Sequence, residues 1–234
     1  MSRREDLAHN LADVEQRIAA ACAAAGRPRQ DVDLIVITKT YPASDVELLA
    51  DLGITDVGEN RHPEAGDKFD EVGAQLRWPE LRWHFVGGLQ TNKAAAVARY
   101  ADVVHSVDRI KLVRALDKGA AEADRSLVCL VQVALSEDEG RSGASPGEVL
   151  MVAKAIADSD RLTLGGVMAV APLGVDPAVA FAELAEIAAL VRHTYPQATV
   201  MSAGMSGDLE DAVKAGATHL RIGRSVLGER PPTG

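Results

Sequence analysis

Apolar residues along this chain follow two rhythms, and the rhythms take turns. Leu7, Leu11, Val14, Ile18 and Cys22 fall three or four residues apart, the spacing of one helix face. Gly26 and then Pro28 end that run, as a helix stop should. The stretch 33–38 is nearly continuously apolar and rich in β-branched residues, which predicts a buried strand. The alternation then repeats. Strands are predicted at 54–58, 81–87, 102–107, 126–135, 161–170, 197–204 and 218–223. Helical stretches are predicted at 43–53, 61–76, 91–101, 109–123, 145–158, 177–193 and 206–217, with a short turn at 224–228. Ser44 is the expected cap of the first of these and Gly53 its terminator. Pro146 falls near a first helical position and Glu148 in the opening turn of the fifth.

Eight strand–helix units behind one leading helix (about 3–26) occupy about 32–230, the length of a single (β/α)8 TIM-type barrel. The strands lack strict polar alternation, as strands covered on both faces do. An open, doubly wound sheet gives the same order of elements. No linker-like or low-complexity stretch interrupts the pattern, so residues 1–234 are expected to form one domain.

Composition narrows the picture. The chain is 47% hydrophobic and 25% charged, the balance of a soluble globular protein. Aromatics are only 3%, so the core must be built from Ala, Val, Leu and Ile. The formal net charge is −9, and no basic run offers a footprint for nucleic acid or an anionic membrane surface. No apolar run reaches the ~20 residues of a membrane span, and no secretory signal is visible. The expected compartment is the cytoplasm. Cys22 and Cys129 lie in apolar stretches and read as buried thiols.

A barrel concentrates its chemistry where strands end. Of seven lysines, Lys39 alone closes an apolar strand. Desolvation lowers a lysine pKa and frees the amine to form a Schiff base; the plainer alternative is a side chain snorkelling to the rim. After the seventh and eighth strands come Gly204-Met205-Ser206-Gly207 and Gly223-Arg224. Either alone reads as an ordinary helix cap at Ser206 or turn at Gly223, but the two together, at the loops that are frequent phosphate sites in barrels, favour a phosphate site. Arg221, just inside the last strand, needs an acceptor if it faces inward. Asn60 ends the second strand near the same mouth. His84 reads as a satisfied structural histidine. Met168 and the pair Gly165-Gly166 are either core packing or a place for a flat ligand to approach. An imine-forming lysine, a phosphate site and a cation together suggest pyridoxal 5'-phosphate (PLP). A Schiff-base aldolase acting on a sugar phosphate would share the first two features.

The stretches "VITKTYP", "VGENR", "WHFVGGLQTNK", "HSVDR", "GGVMAV", "GMSGDLEDAVKAG" and "RIGRSVLGER" run in order from Lys39 to Arg230. Together they resemble the pyridoxal phosphate homeostasis protein family, which shares its barrel with the N-terminal domain of alanine racemases. The resemblance implies that Lys39 holds PLP as an internal aldimine. It implies that Ser206 and the backbone around Gly223 and Arg224 hold the phosphate. Arg221 would face the pyridine nitrogen and Asn60 the ring hydroxyl. The implied role is intracellular PLP (vitamin B6) homeostasis, storing or delivering the cofactor without established turnover. The implied partners are PLP itself and apo PLP-dependent enzymes as recipients, with the protein a monomer or weak homodimer and no metal involved. The alternative is a low-activity racemase-like enzyme. Racemases of this kind carry a β-domain with a second acid/base group, for which a chain ending at Gly234 leaves no room. Two departures stand out. Gly88 replaces a bulkier residue or histidine and opens the third loop, and "RHPEAGDK" replaces a commoner "VQE" style, with Pro63 bending the helix start.

Overall fold

A computed structural model of the protein describes residues 2–73, 77–135 and 142–228. The strands are β1 (Asp33–Ile37), β2 (Asp56–Glu59), β3 (Arg82–Phe85), β4 (Val103–Val107), β5 (Leu127–Gln132), β6 (Leu162–Met168), β7 (Val200–Ser202) and β8 (His219–Ile222). The helices are α1 (Arg3–Ala24), α2 (Ala43–Asp51), α3 (Glu64–Val72), α4 (Ala94–Ala98), α5 (Ile110–Glu122), α6 (Val149–Ala157), α7 (Pro177–Thr194), α8 (Leu209–Ala215) and α9 (Arg224–Leu227). All pairings are parallel, and β8 returns to β1 in the register Asp33↔His219 to Val36↔Ile222. The sheet is therefore a closed barrel in chain order. The open doubly wound sheet, the second reading of the same alternation, does not form.

The strands are shorter than the apolar runs predict. β5 stops at Gln132 and β7 holds only three residues, because a ladder ends where the neighbour's register runs out, a fact absent from local composition. The helix expected over 61–76 forms over 64–72 and ends at Gly73 in a left-handed conformation (φ 56°); positions 74–76 lie outside the described residues, as do Glu229 and Arg230 of the last matched stretch. Ser44 does not cap α2. Pro42 holds the cap position with extended backbone, and the helix begins at Ala43. Glu148 stands at the cap of α6 rather than inside its first turn, its carboxylate accepting from the N–H and hydroxyl of Ser145.

The leading helix earns its place through both faces of its ends. Ser2 caps it by accepting from Glu5 N–H (3.3 Å), while Glu5 accepts from Ser2 N–H (2.7 Å), a reciprocal capping box. Leu7, Leu11, Val14, Ile18 and Cys22 are buried against the barrel's outer layer. Polar ties fasten this end of the chain to α8 and α9. Asn10 Nδ2 donates to Val226 O (2.9 Å), Arg3 Nη2 to Leu227 O (3.1 Å), and Arg27 Nη1 to Val213 O and Ala217 O (2.8 and 2.9 Å). Among the described residues, no helix is long and apolar enough to cross a membrane.

Candidate functional site

Parallel closure puts the C-terminal ends of all strands on one face. Lys39 lies two residues beyond β1, Asn60 one beyond β2, Ser206 four beyond β7, and Gly223 and Arg224 directly after β8. Arg221 is the third residue of β8. Because β7, β8, β1 and β2 are consecutive neighbours, the closed barrel gathers all six onto one arc of the rim. Backbone bonds tighten that arc. Arg221 N–H donates to Gly204 O (2.9 Å) and Thr38 N–H to Gly58 O (2.9 Å). A Cβ on Gly223 would stand 3.2 Å from Ile37 O, so β8 ends pressed against β1 beside Lys39. A Cβ on Gly87 would stand 2.0 Å from Asn60 O; only glycine lets the loop after β3 pass that close to Asn60.

Lys39 is half-buried and Asn60 likewise, Ser206 is half-buried, and Arg224 is exposed. Arg221 is 5% exposed. The acceptors it requires are neutral: Nη1 donates to Ser202 Oγ (2.6 Å) and Nη2 to Ala169 O (2.8 Å). Burial pulls its pKa down to about 10, against the pull of Asp208 in the other direction, so the guanidinium is still a cation at neutral pH. Two of its five N–H donors are spoken for by those two bonds.

The capping role weighed for Ser206 falls to another residue. Asp208 holds the cap position of α8, and its Oδ1 accepts from Met205 N–H (2.6 Å), which folds the Met205–Asp208 turn. Ser206 sits inside that turn, its carbonyl accepting from Arg17 Nη1 (3.2 Å). A Cβ on Gly207 would meet nothing within 4 Å, so the turn's backbone is open to approach.

Two polar groups beneath the mouth escaped sequence reasoning. The first is Lys68 on α3, which looked like one of six surface lysines. Its ammonium donates to Thr38 O (2.7 Å) and pairs with Glu59, whose Oε1 also accepts from Thr38 Oγ1 (2.7 Å). Lys68 and Glu59 side chains are only 11% and 4% exposed. The pair therefore fixes the backbone immediately before Lys39 and the residue immediately before Asn60.

The second is a file of side chains inside the barrel. His84 Nε2 lies 2.8 Å from Asp56 Oδ1, and His84 Nδ1 lies 2.8 Å from His105 Nε2. His105 Nδ1 lies 3.0 Å from Ser202 Oγ, which in turn receives Arg221. His84 is thus the satisfied histidine its strand suggested. Burial would raise the Asp56 pKa, but the hydrogen bond from His84, helped by Thr55 and Arg82, brings it down to about 2. Burial, then His84 and Arg221, hold His105 well below the usual histidine range. Period-two parity within each strand was the signal available, blurred on β3 and β8 by Arg82 and His219, which share the parity of His84 and Arg221.

Other expectations resolve simply. Met168 packs on Val103 and Leu130, and a Cβ on Gly165 or Gly166 would collide with Val128 or with Val200 O. That region is core packing, not a ligand face. Cys22 and Cys129 are buried, and burial pushes the Cys129 thiol up to about 12. The nearest atom to a Cβ on Gly88 would be Ser142 Oγ at 3.8 Å, so the loop has room for the larger residue it lacks. Pro63 stands at the cap position of α3. Among the described residues, no group of three or more His, Cys, Asp or Glu could hold a metal ion.

A lysine ending the first strand of a parallel eight-stranded barrel, with an arginine buried at the end of the last, defines a recognisable class. The chain belongs to the alanine racemase N-terminal domain family, which it matches over residues 5–231, and within it to the pyridoxal phosphate homeostasis proteins. It is 42% identical to the pyridoxal phosphate homeostasis protein of Mycobacterium tuberculosis, over 97% of this chain and 94% of that one. It is 36% identical to the protein of that name from Escherichia coli, over 96% and 97%. The structure of PipY from Synechococcus elongatus, solved with PLP bound, superposes with a TM-score of 0.81 at 32% identity, covering 95% of this chain and 100% of that one.

Proposed function

We propose that this chain binds PLP at the barrel mouth and holds it as a Schiff base on Lys39, for storage or delivery within the PLP pool. The observation that carries the reading is the juxtaposition of a half-buried lysine after β1 with a buried cation on the adjoining strand β8. Family membership and the PLP-bound PipY structure support it. When bound, PLP supplies an aldehyde, a phosphate and a basic pyridine ring. The residues present fit each part. Lys39 offers the amine. Ser206, relieved of capping, and the backbone around Gly207, Gly223 and Arg224 offer phosphate donors without side-chain obstruction. Arg221 presents a cation to the ring nitrogen and Asn60 a polar group to the ring hydroxyl.

Arg221 also bears on whether the protein turns substrates over. A permanent cation beside the ring nitrogen disfavours its protonation, and an unprotonated ring is a poor electron sink. That favours a carrier over the racemase-like alternative. The test is to add PLP to the purified protein and follow the imine absorbance, with Lys39→Ala as control, then to measure transfer to an apo PLP-dependent enzyme. Uptake lost in Lys39→Ala and transfer from the parent are expected. A protein that takes up no PLP would overturn the reading, and Lys39-dependent conversion of an L-amino acid to its D-isomer would replace carrier by enzyme.

A further inference from the structure

The file Asp56–His84–His105–Ser202–Arg221 spans the barrel interior from one end to the other. Asp56 opens β2 and pairs with Arg82 at the start of β3 (2.8 Å), with Thr55 Oγ1 on its other oxygen (2.7 Å). Arg221 lies toward the mouth and Ser202 closes β7. Glu59 lies three steps along β2 from Asp56, a rise of roughly 10 Å, so the file begins at the face opposite the candidate site.

Its hydrogens have a preferred direction. An ionised carboxylate only accepts, so His84 Nε2 carries a proton and, in a neutral ring, Nδ1 accepts. His105 Nε2 must then donate to His84, leaving His105 Nδ1 to accept from the Ser202 hydroxyl. Ser202 Oγ keeps lone pairs for Arg221 Nη1. Every donor points from Arg221 toward Asp56, and every donor meets an acceptor. The other arrangement, a cationic His84, turns both histidines around and makes Ser202 Oγ accept from two sides. That places a second cation in the interior and costs the hydroxyl hydrogen its His105 acceptor, a penalty in a low-dielectric site.

We propose that Asp56, His84, His105 and Ser202 are positioning residues for Arg221, forming a one-way hydrogen-bond chain that holds its guanidinium immobile and cationic toward the mouth. The proposal builds on the PLP reading above, because a fixed cation matters most against a ring nitrogen. Its physical content concerns the protein alone: accepting lone pairs face Arg221, and the anion at the far end sets the direction of every link. Asp56, well away from the rim, thereby acts on a group at the rim.

The experiment uses nuclear magnetic resonance on the cofactor-free protein, then PLP titration. At neutral pH, side-chain 15N correlations should show His84 and His105 as neutral rings protonated on Nε2, and Arg221 Nη rotation should be slow. Asp56→Asn, whose amide can donate, should scramble or reverse the histidine tautomers, and Ser202→Ala should free Arg221 rotation. With PLP, both variants should shift the absorbance of the bound cofactor and weaken retention about fivefold, the equivalent of one lost hydrogen bond. A merely structural role would lower stability and leave tautomers and spectrum untouched. His105 protonated on Nδ1, or fast Arg221 rotation in the parent, overturns the chain without any variant having to fold. So do folded variants with the parent's spectrum and affinity. A parent that shows the tautomers and slow rotation yet takes up no PLP leaves the chain standing and removes the PLP reading instead.

Discussion

Glu59→Ala removes the carboxylate that Lys68 and Thr38 share. The ammonium would be left 11% exposed, with Thr38 O as a neutral acceptor. Breaking a buried pair by deleting one partner typically costs about 3–5 kcal/mol. The long lysine stem can carry part of its charge toward water, which places this case near the lower figure. The Thr38 hydroxyl loses its acceptor as well, at about 1 kcal/mol. The expected destabilisation is therefore ~3–4 kcal/mol, read by urea unfolding with linear extrapolation. The double variant Glu59→Ala/Lys68→Met removes the stranded charge and should recover most of the loss, to within about 1.5 kcal/mol of the parent, since an apolar replacement of a buried pair is often near neutral. A single-variant loss below about 1 kcal/mol, or a double variant worse than the single, would show that the pair is solvated and does not brace the mouth.

Acid should weaken the fold in two stages. His219 is brought down to about 4, chiefly by burial; with its folded pKa below the unfolded value, stability is whole above about pH 6.5 and falls as pH drops toward 4, by roughly 3 kcal/mol for a gap of that size. Asp56, depressed to about 2, adds a second loss only below about pH 4; urea midpoints between pH 7.5 and 3 check both, and His219→Gln should flatten the first stage. Gly87→Ala drives a methyl to 2.0 Å from Asn60 O, so it should cost about 1–3 kcal/mol in unfolding free energy and weaken PLP uptake through Asn60; parental uptake would remove Asn60 from the site. Ser206→Ala should reduce PLP retention by about 1 kcal/mol in a dialysis assay, and unchanged retention would take its hydroxyl off the phosphate.

The order of elements was legible because each strand and helix writes its own period. Closure was legible only as a count, eight units in the length of one barrel; an open sheet needs the same apolar strands, and the β1–β8 register that decides between them joins opposite ends of the chain. Lys39 announced itself by ending an apolar run, and Ser206, Gly223 and Arg221 by clustering at two neighbouring strand ends. Lys68 gave no such sign. α3 is mostly polar around the short stripe Ala65, Phe69 and Val72, and the burial of Lys68 depends on Glu59 nine positions away, on another element. His105 and Ser202 are 97 positions apart, so their contact exists only once the barrel is round. Ser44 does not serve as the cap it was expected to be. Local chemistry favours serine at such a place, but Pro42 holds the cap position and the helix is already under way at Ala43.

The helix α1 stands first in the chain, yet it packs on α8 and α9, which stand last. Emerging from a ribosome, its stripe of Leu7, Leu11, Val14 and Ile18 lacks its main helical partners until nearly every other element has been made. For that interval the nascent chain displays a sticky helix in need of shielding. The last few dozen residues both complete the ring and cover that helix, so synthesis that stalls before β8 would yield a chain that cannot hide its beginning.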